Sequence, residues 1–186
     1  MFEARLMESI LNAGLIQFGD FVHADGTYSA WQLRFDMLPS YPDVLRLAAG
    51  TVAALIEPTQ VSRLVCTPEA VALATLVGQV LGIPLVIHTG VIGRPSHHLV
   101  GAYDIGHPAV LISLTTHFPA GSIARLHADA ASVGLQIIDW VVVLEIAANK
   151  DLRHSAVLTL HDVAENLMDR GEITPGMALQ IVQPPG

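Results

Sequence analysis

The sequence predicts an α/β protein with a central, mostly parallel sheet that is covered on both faces by helices. From residue 63 onward, short apolar runs alternate with segments of helical periodicity, which is typical of strand–helix units. The segment Gln136–Leu144 contains the run IIDWVVVL, and a strand this apolar is typical of one buried on both faces. Glycines and prolines separate these runs, as expected at the ends of helices and strands.

The first part of the chain predicts a helix followed by a β-hairpin. Phe2–Ala13 is amphipathic and is followed by Gly14, a helix stop signal. Asp25-Gly26 predicts the turn between strands at Phe18–His23 and Tyr28–Phe35. We expect residues 1–40 to form a small cap on the α/β core.

The remaining segments predict the core. Ser40 is the expected N-cap of a helix that has Pro42 in its first turn and runs to about Ile56. The predicted strands are Arg63–Cys66, Pro84–His88, Ala109–Leu114, Gln136–Leu144 and Ser155–Leu160, and the predicted helices are Pro68–Leu81, Gly121–Val133 and His161–Arg170. Residues 89–108 hold four glycines and two prolines and predict a flexible loop or hairpin over the site. Residues 1–186 are expected to form one domain.

The composition excludes some partners and favours others. The 186 residues have a net charge of −8 and one lysine, Lys150, which argues against nucleic acid as a partner. No uncharged run is long enough to span a bilayer, and the N-terminus lacks an export signal, so we expect a cytoplasmic protein with no membrane partner. A single cysteine, Cys66, fits that reducing location. Because 52% of residues are hydrophobic, we expect a homodimer that buries the excess apolar surface.

The segment Ala109–Ser122, AVLISLTTHFPAGS, predicts a phosphate cradle. An apolar strand leads through a short loop to Gly121-Ser122 at a helix start. Ligands bind at the carboxyl ends of parallel strands, and the N–H groups of a helix N-terminus favour an anion. The alternative interpretation is a helix start with a serine cap and no ligand.

Several segments in this order resemble the orotate phosphoribosyltransferases, which are type I phosphoribosyltransferases. The resemblance covers roughly residues 10–170, and its segments are Gly14–Leu38, Ser40–Ile56, Cys66–Gly78 at the pyrophosphate loop, Gly82–His88 before the catalytic loop, and Ala109–Ser122 at the diphosphate-sugar motif. The resemblance implies a type I phosphoribosyltransferase fold. It also implies a reaction of orotate with phosphoribosyl diphosphate that gives orotidine monophosphate and pyrophosphate.

The sequence departs from this family where the family places its charged residues. The family's acidic pair falls on Thr115 and Thr116, its orotate-binding lysine falls on Ala24, and its Arg-Lys pair falls on His88 and Thr89. In the mobile loop, Arg94 is the one permanent cation. Transfer builds negative charge on the leaving group, so losing all these groups together predicts that the standard reaction is absent or very slow.

The remaining residues predict that an anion still binds. The expected phosphate-binding residues are Thr115, Thr116, Pro119, Ala120, Gly121 and Ser122, and the possible further contacts are Thr67, Glu69, His88, Arg94, His97 and His98. The expected ligand is a small phosphorylated metabolite or a nucleotide. No cofactor is assigned, and Mg²⁺ is expected only together with phosphoribosyl diphosphate.

Two interpretations of the histidines stay open. His97-His98 and His88 could replace lysines and bind an anion when protonated, or bind a metal, or they could be ordinary loop histidines. Cys66 is expected to be a core cysteine, and Trp31 and Trp140 are expected in the core or at an interface.

Three functions follow as hypotheses. The first is a non-catalytic relative that binds a nucleotide or phosphorylated metabolite. The second is an active orotate phosphoribosyltransferase of pyrimidine synthesis. The third is a structural or regulatory partner subunit.

Overall fold

The computed structural model describes residues 2–22, 26, 28–90, 98–103, 106–119, 121–146 and 154–182. The helices are α1 (Phe2–Asn12), α2 (Pro42–Ala54), α3 (Val71–Leu81), α4 (Ser122–Ser132), α5 (Leu160–Asp169) and α6 (Pro175–Val182). The strands are β1 (Ile16–Val22), β2 (Tyr28–Leu33), β3 (Arg63–Cys66), β4 (Leu85–His88), β5 (Leu99–Gly101), β6 (His107–Thr115), β7 (Leu135–Glu145) and β8 (Ser155–Thr159). Short 3-10 segments at Phe35–Ser40 and Pro68–Ala70 precede α2 and α3. None of the helices in these ranges is long and apolar enough to cross a lipid bilayer.

The main sheet has six strands in the order β5-β4-β3-β6-β7-β8. Neighbouring strands pair in parallel except for β5, which is antiparallel to β4 at one edge. The predicted α/β fold with a mostly parallel sheet is therefore confirmed.

Alternate side chains of the central strands enter two different helix layers. On β6, Val110 and Ile112 belong to the core that also contains residues of α1, α2, α3 and α5, whereas Ala109 and Leu111 pack with α4. This is the two-residue period of a strand, with an apolar layer on each side. Burial on both faces explains why the strand sequences have no polar alternation.

The predicted N-terminal β-hairpin is also confirmed. β1 and β2 form a separate antiparallel pair, with Phe18 opposite Trp31. Trp31 packs against α5 and α6, and its Nε1–H donates to the carbonyl of Ile181 at 3.0 Å. Of the predicted turn pair, Gly26 has a φ of +85°, and Asp25 lies outside the described residues.

Three features differ from the sequence predictions. The predicted N-cap at Ser40 is wrong, because Ser40 ends the 3-10 segment and Tyr41 precedes Pro42 at the start of α2. Burial of Phe35 and Leu38 explains this, since both side chains enter the core only if the chain turns before α2 begins. The helix α6 and the strand β5 were not predicted as separate elements.

Candidate functional site

The ends of three neighbouring parallel strands bring the candidate site together. β3, β4 and β6 run in the same direction, so the residues that follow them lie along one edge of the sheet. A cleft of about 510 Å³ opens at this edge. It is lined by residues of four chain segments that the sequence predicts at a site, namely Thr67, Glu69, His88, His98, Pro119, Gly121 and Ser122.

Other predicted site residues have different positions. Thr115 and Thr116 are not among the residues that line the cleft. Ala24, Arg94, His97 and Ala120 lie outside the described residues, so their predicted roles stay predictions.

The N-terminus of α4 enters the cleft at Gly121 and Ser122. Gly121 occupies the N-cap position with a φ of +78°, a left-handed conformation that favours glycine. Gly121 has no side chain that could cap the helix, and the Ser122 N–H donates to the carbonyl of Pro119 at 3.0 Å. The next N–H groups of the first turn have no intrahelical acceptor, so this end of α4 is suited to an anion.

Thr67 lines the cleft, and its buried hydroxyl group lacks a hydrogen-bond partner among the described residues. The residue is only 4% exposed, and its Oγ1 has no hydrogen-bond partner within the described residues. Its main chain is fixed, because its N–H donates to the carbonyl of Ile112 at 3.3 Å and its carbonyl accepts from the N–H of Ala70 at 3.1 Å. A buried unpaired hydroxyl costs about 1–3 kcal/mol, so a ligand oxygen at this position would remove an existing penalty.

Thr115 and Thr116 use their hydroxyl groups inside the protein. Thr115 Oγ1 accepts from the N–H of His117 at 3.3 Å, and Thr116 Oγ1 accepts from the N–H of Ile146 at 3.0 Å. The second contact joins the loop after β6 to the end of β7. These two threonines therefore shape the loop that leads to α4.

The donor set of the cleft does not fit a protein-held Mg²⁺. Mg²⁺ requires hard oxygen ligands and is commonly held by carboxylates. Among the described residues that line the cleft, Glu69 is the only acidic one. Within the same part of the chain, no three His, Cys, Asp or Glu side chains are grouped to hold a metal ion.

One side of the cleft has a chain of polar contacts between α4 and the β4–β5 edge. His88 Nε2 lies 3.0 Å from Asp129 Oδ2, and the rings of His88 and His98 are stacked with centroids 6.1 Å apart. Arg125 Nη2 lies 3.4 Å from His98 Nε2. We call these four residues the histidine wall. The pairing of β4 with β5 holds this wall in place. The N–H of Thr89, which follows β4, donates to the carbonyl of His98, which precedes β5, at 2.7 Å.

The sequence analysis missed Arg125 and Asp129. Their spacing of four residues on a helix places both side chains on one face of α4, which is the signal that could have found them. The spacing does not predict which residues contact this face of α4, since His88 is 41 residues away from Asp129 along the chain.

Cys66 lies beside this site but is not set up as a nucleophile. It is buried, and burial, followed by the charge of Glu69, raises the pKa of its thiol to about 12. The thiol is therefore neutral at ordinary pH, whereas the thiolate is the reactive form. The prediction of a core cysteine is confirmed.

Trp140 is also a core residue, as expected. It is fully buried, and its Nε1–H donates to Ser113 Oγ at 2.8 Å. Its indole ring contacts Phe118 at a centroid distance of 6.0 Å, and Phe118 in turn lines the cleft. Trp140 thus supports the cleft from behind and does not offer a surface for stacking a base.

No protein-family model matches the chain. The chain is 31% identical over 154 residues to an orotate phosphoribosyltransferase from Thermococcus gammatolerans, covering 78% of this chain and 80% of that protein.

Two solved structures show the same fold at lower identity. UMP synthase from Leishmania donovani superimposes with a TM-score of 0.81 and 19% identity, covering 96% of this chain but only 41% of that longer chain. Orotate phosphoribosyltransferase from Mycobacterium tuberculosis in complex with 5-phospho-α-D-ribosyl 1-diphosphate matches with a TM-score of 0.69 and 16% identity, covering 88% and 99%.

Proposed function

The chain belongs to the orotate phosphoribosyltransferase family, and on that premise we propose that its cleft binds a phosphorylated ribose compound while phosphoribosyl transfer is lost or very slow. The ligand class comprises nucleotides and phosphoribosyl diphosphate. The observation that carries the proposal is the buried hydroxyl of Thr67, which has no hydrogen-bond partner among the described residues and lies in a cleft that also receives the N-terminus of α4.

Binding is supported by two kinds of donor. The first turn of α4 offers backbone N–H groups and the positive end of a helix dipole to a phosphate. The Thr67 hydroxyl offers a donor that costs nothing further to desolvate, because it is already buried. Both donors are neutral, so they suit recognition of a phosphate but supply little of the charge that transfer requires.

Loss of transfer is supported by the charges of the cleft. A leaving pyrophosphate gains negative charge in the transition state and must be stabilised by cations. Among the described residues lining the cleft, Arg125 is the one permanent cation. Thr115 and Thr116 replace the acidic pair expected from the family, and their hydroxyls bond to backbone N–H groups.

The test combines binding with turnover. Orotidine monophosphate, uridine monophosphate and phosphoribosyl diphosphate are titrated by calorimetry and thermal shift, and pyrophosphate release is followed with orotate, phosphoribosyl diphosphate and Mg²⁺. We expect ligand-dependent stabilisation, by the linkage of binding to folding, and no pyrophosphate above the protein-free control. Thr67→Val should weaken binding, and Thr75→Val on the exposed face of α3 serves as the matched control.

One finding favours a second candidate function, that of an active orotate phosphoribosyltransferase. The 31% identity to the Thermococcus gammatolerans protein extends over most of both chains. Pyrophosphate release at about 1 per second or faster, in the usual range of enzymes, would establish this alternative and reject the loss of transfer. If no compound binds, the remaining hypothesis is that the protein is a structural or regulatory partner subunit.

We further propose a cytoplasmic homodimer. Large apolar side chains such as Val80 and Leu179 are 64% exposed in the single chain, and a second copy would cover such surface. Sedimentation equilibrium should give twice the mass of 19.8 kDa, and the monomer mass would reject the dimer.

A further inference from the structure

The end of β6 and the loop after it offer no carboxylate that could hold a divalent cation. Thr115 and Thr116 occupy the positions of the acidic pair that the family resemblance implies. Their Oγ1 atoms accept from the backbone N–H groups of His117 and Ile146, at 3.3 Å and 3.0 Å. A neutral hydroxyl that already accepts a hydrogen bond is a poor ligand for Mg²⁺, which proteins bind through carboxylates and substrate phosphates.

The carboxylates of the neighbouring elements have other contacts. Asp129 Oδ2 on α4 lies 3.0 Å from His88 Nε2, and Glu145 Oε1 at the end of β7 lies 3.3 Å from His154 Nε2. Of the acidic residues in the described ranges, Glu69 is the only one that lines the cleft. One exposed carboxylate is therefore all that this part of the chain offers a metal ion at the phosphate site.

We propose that the cleft binds its ligand without a divalent cation, and that it takes a compound with a single phosphate group in preference to one with a diphosphate. The inference rests on the proposed function, because it concerns the same cleft and the same phosphate at the N-terminus of α4. It narrows the ligand class from phosphorylated ribose compounds in general to ribose monophosphates, which include the nucleoside monophosphates.

The charges of the cleft support one phosphate group. Arg125 contributes one positive charge and Glu69 one negative charge, so the charges of the described lining residues cancel when the histidines are neutral. The N-terminus of α4 adds the equivalent of about half a positive charge, and one phosphate group carries about −1.5 to −2 at neutral pH. A diphosphate brings further negative charge, and the described lining has no second permanent cation to offset it.

The apolar part of the cleft disfavours a hydrated metal ion. Phe118, Ile123 and Leu126 line the cleft, and the ring of Phe118 packs against Trp140 with centroids 6.0 Å apart. Mg²⁺ gives up its water ligands reluctantly and usually keeps several of them when bound. Those waters need polar partners, which these side chains do not provide. A ribose ring or a planar base, by contrast, can bury apolar surface against them.

Calorimetry with and without Mg²⁺ tests the inference. Uridine monophosphate, ribose 5-phosphate and phosphoribosyl diphosphate are each titrated into the full chain, once with EDTA and once with excess Mg²⁺ at constant ionic strength. We expect the affinity for each monophosphate to change by less than about twofold. Phosphoribosyl diphosphate should bind no tighter than ribose 5-phosphate in either condition, since the diphosphate is the only difference between these two compounds.

Mn²⁺ provides a second readout that does not depend on ligand affinity. It prefers the same oxygen ligands as Mg²⁺, and its free form is detected by electron paramagnetic resonance. Protein and ligand together should remove no more free Mn²⁺ than the sum of what each removes alone. A larger loss of the free-ion signal would reveal a metal ion held between protein and ligand and would overturn the inference.

Glu69→Gln separates charge repulsion from metal binding, and the variant should fold because Glu69 is exposed. Removing the negative charge should strengthen the binding of uridine monophosphate about threefold, the size expected for one exposed charge pair, and equally with EDTA and with Mg²⁺. If Glu69 instead held a metal ion, the variant would weaken binding in Mg²⁺. Glu8→Gln on the exposed face of α1 makes the same change outside the cleft and should bind like wild type.

The possible outcomes are distinct. A gain in affinity of about tenfold or more with Mg²⁺ for any of the three compounds overturns the inference, and so does a Glu69→Gln variant that binds no tighter than wild type. Tighter binding of phosphoribosyl diphosphate than of ribose 5-phosphate overturns the preference for a single phosphate group. If none of the three compounds binds in either condition, the proposed function itself fails.

Discussion

The two sides of the cleft place their polar groups by different means. In the first turn of α4 the donors are backbone N–H groups, whose polarity is fixed by the helix and does not change with pH. At the histidine wall the polar groups are side chains that contact one another, and they are held by a short edge strand. The difference teaches that one helix can contribute backbone groups at its start and side chains a few residues later to the same cleft.

The largest expected effect comes from breaking the support of the histidine wall. A Cβ at Gly101 would lie 2.5 Å from the carbonyl oxygen of Leu85, and its φ of +138° also disfavours a side chain. We expect Gly101→Ala to push β5 away from β4 and to destabilise the protein by about 2 kcal/mol.

The same variant separates the two sides of the cleft. Because His98 precedes β5, the variant should separate His98 from Arg125 while uridine monophosphate still binds at α4. Denaturant unfolding and calorimetry measure the two effects, and unchanged stability would contradict the close approach of the strands.

The next effect breaks the permanent side. Gly121→Ala introduces a side chain at φ +78°, where the strain costs about 1–2 kcal/mol although no atom lies within 4 Å of the new Cβ. Relief of this strain would move the start of α4, so phosphate affinity should fall at every pH.

Gly50→Ala is the matched control for Gly121→Ala. Gly50 lies in α2, and a Cβ there also meets no atom within 4 Å. In a helix interior the same change should stabilise by about 0.5–1 kcal/mol. If Gly121→Ala and Gly50→Ala had equal free energies of unfolding, the left-handed conformation of Gly121 at the N-cap of α4 would be contradicted.

A smaller effect compares two threonines. Thr67→Val removes a buried hydroxyl that lacks a partner among the described residues, so stability without ligand should stay equal or rise by about 1 kcal/mol while ligand affinity falls. Thr116→Val removes the acceptor for the Ile146 N–H and should cost about 1 kcal/mol of stability without changing affinity. Thermal unfolding with and without uridine monophosphate distinguishes the two, and a loss of stability in Thr67→Val would argue against an unpaired hydroxyl.

The smallest effect on binding concerns Cys66, which is buried beside the cleft. The pKa of Cys66 is raised to about 12 by burial, so the thiol stays protonated in the folded state at neutral pH. Replacing it by alanine should leave ligand affinity at neutral pH unchanged, which calorimetry measures.

Cys66 should instead affect stability in alkali. The raised pKa means that the unfolded chain loses its thiol proton first, near the ordinary cysteine value. The stabilising contribution is therefore fully present below about pH 8.5 and declines by up to about 1.4 kcal/mol per pH unit above it. Unfolding of wild type and Cys66→Ala from neutral to alkaline pH checks this, and parallel curves would contradict it.

The sequence by itself determined the order of most elements and placed Gly121 and Ser122 at the start of a helix. Apolar runs such as the one in β7 mark strands buried on both faces, and Gly82 marks the end of α3, where it adopts a φ of +68°. These signals are local, because strand burial and helix termination depend on a few neighbouring residues. The positions of Gly121 and Ser122 at a helix N-terminus followed from the same local signals.

Only the tertiary structure decided which of the candidate residues share a site. Thr115 and Thr116 adjoin the cradle in sequence but bond within the loop and to the end of β7, whereas His88 and His98 contact Asp129 and Arg125 of α4 on one side of the cleft. For a similar reason α2 begins after Ser40, its predicted N-cap. Phe35 and Leu38 are buried in the core, and they lie in the 3-10 segment that ends at Ser40. Contacts between distant segments depend on the packing of the whole sheet and its helices, and no local pattern of residues contains that information.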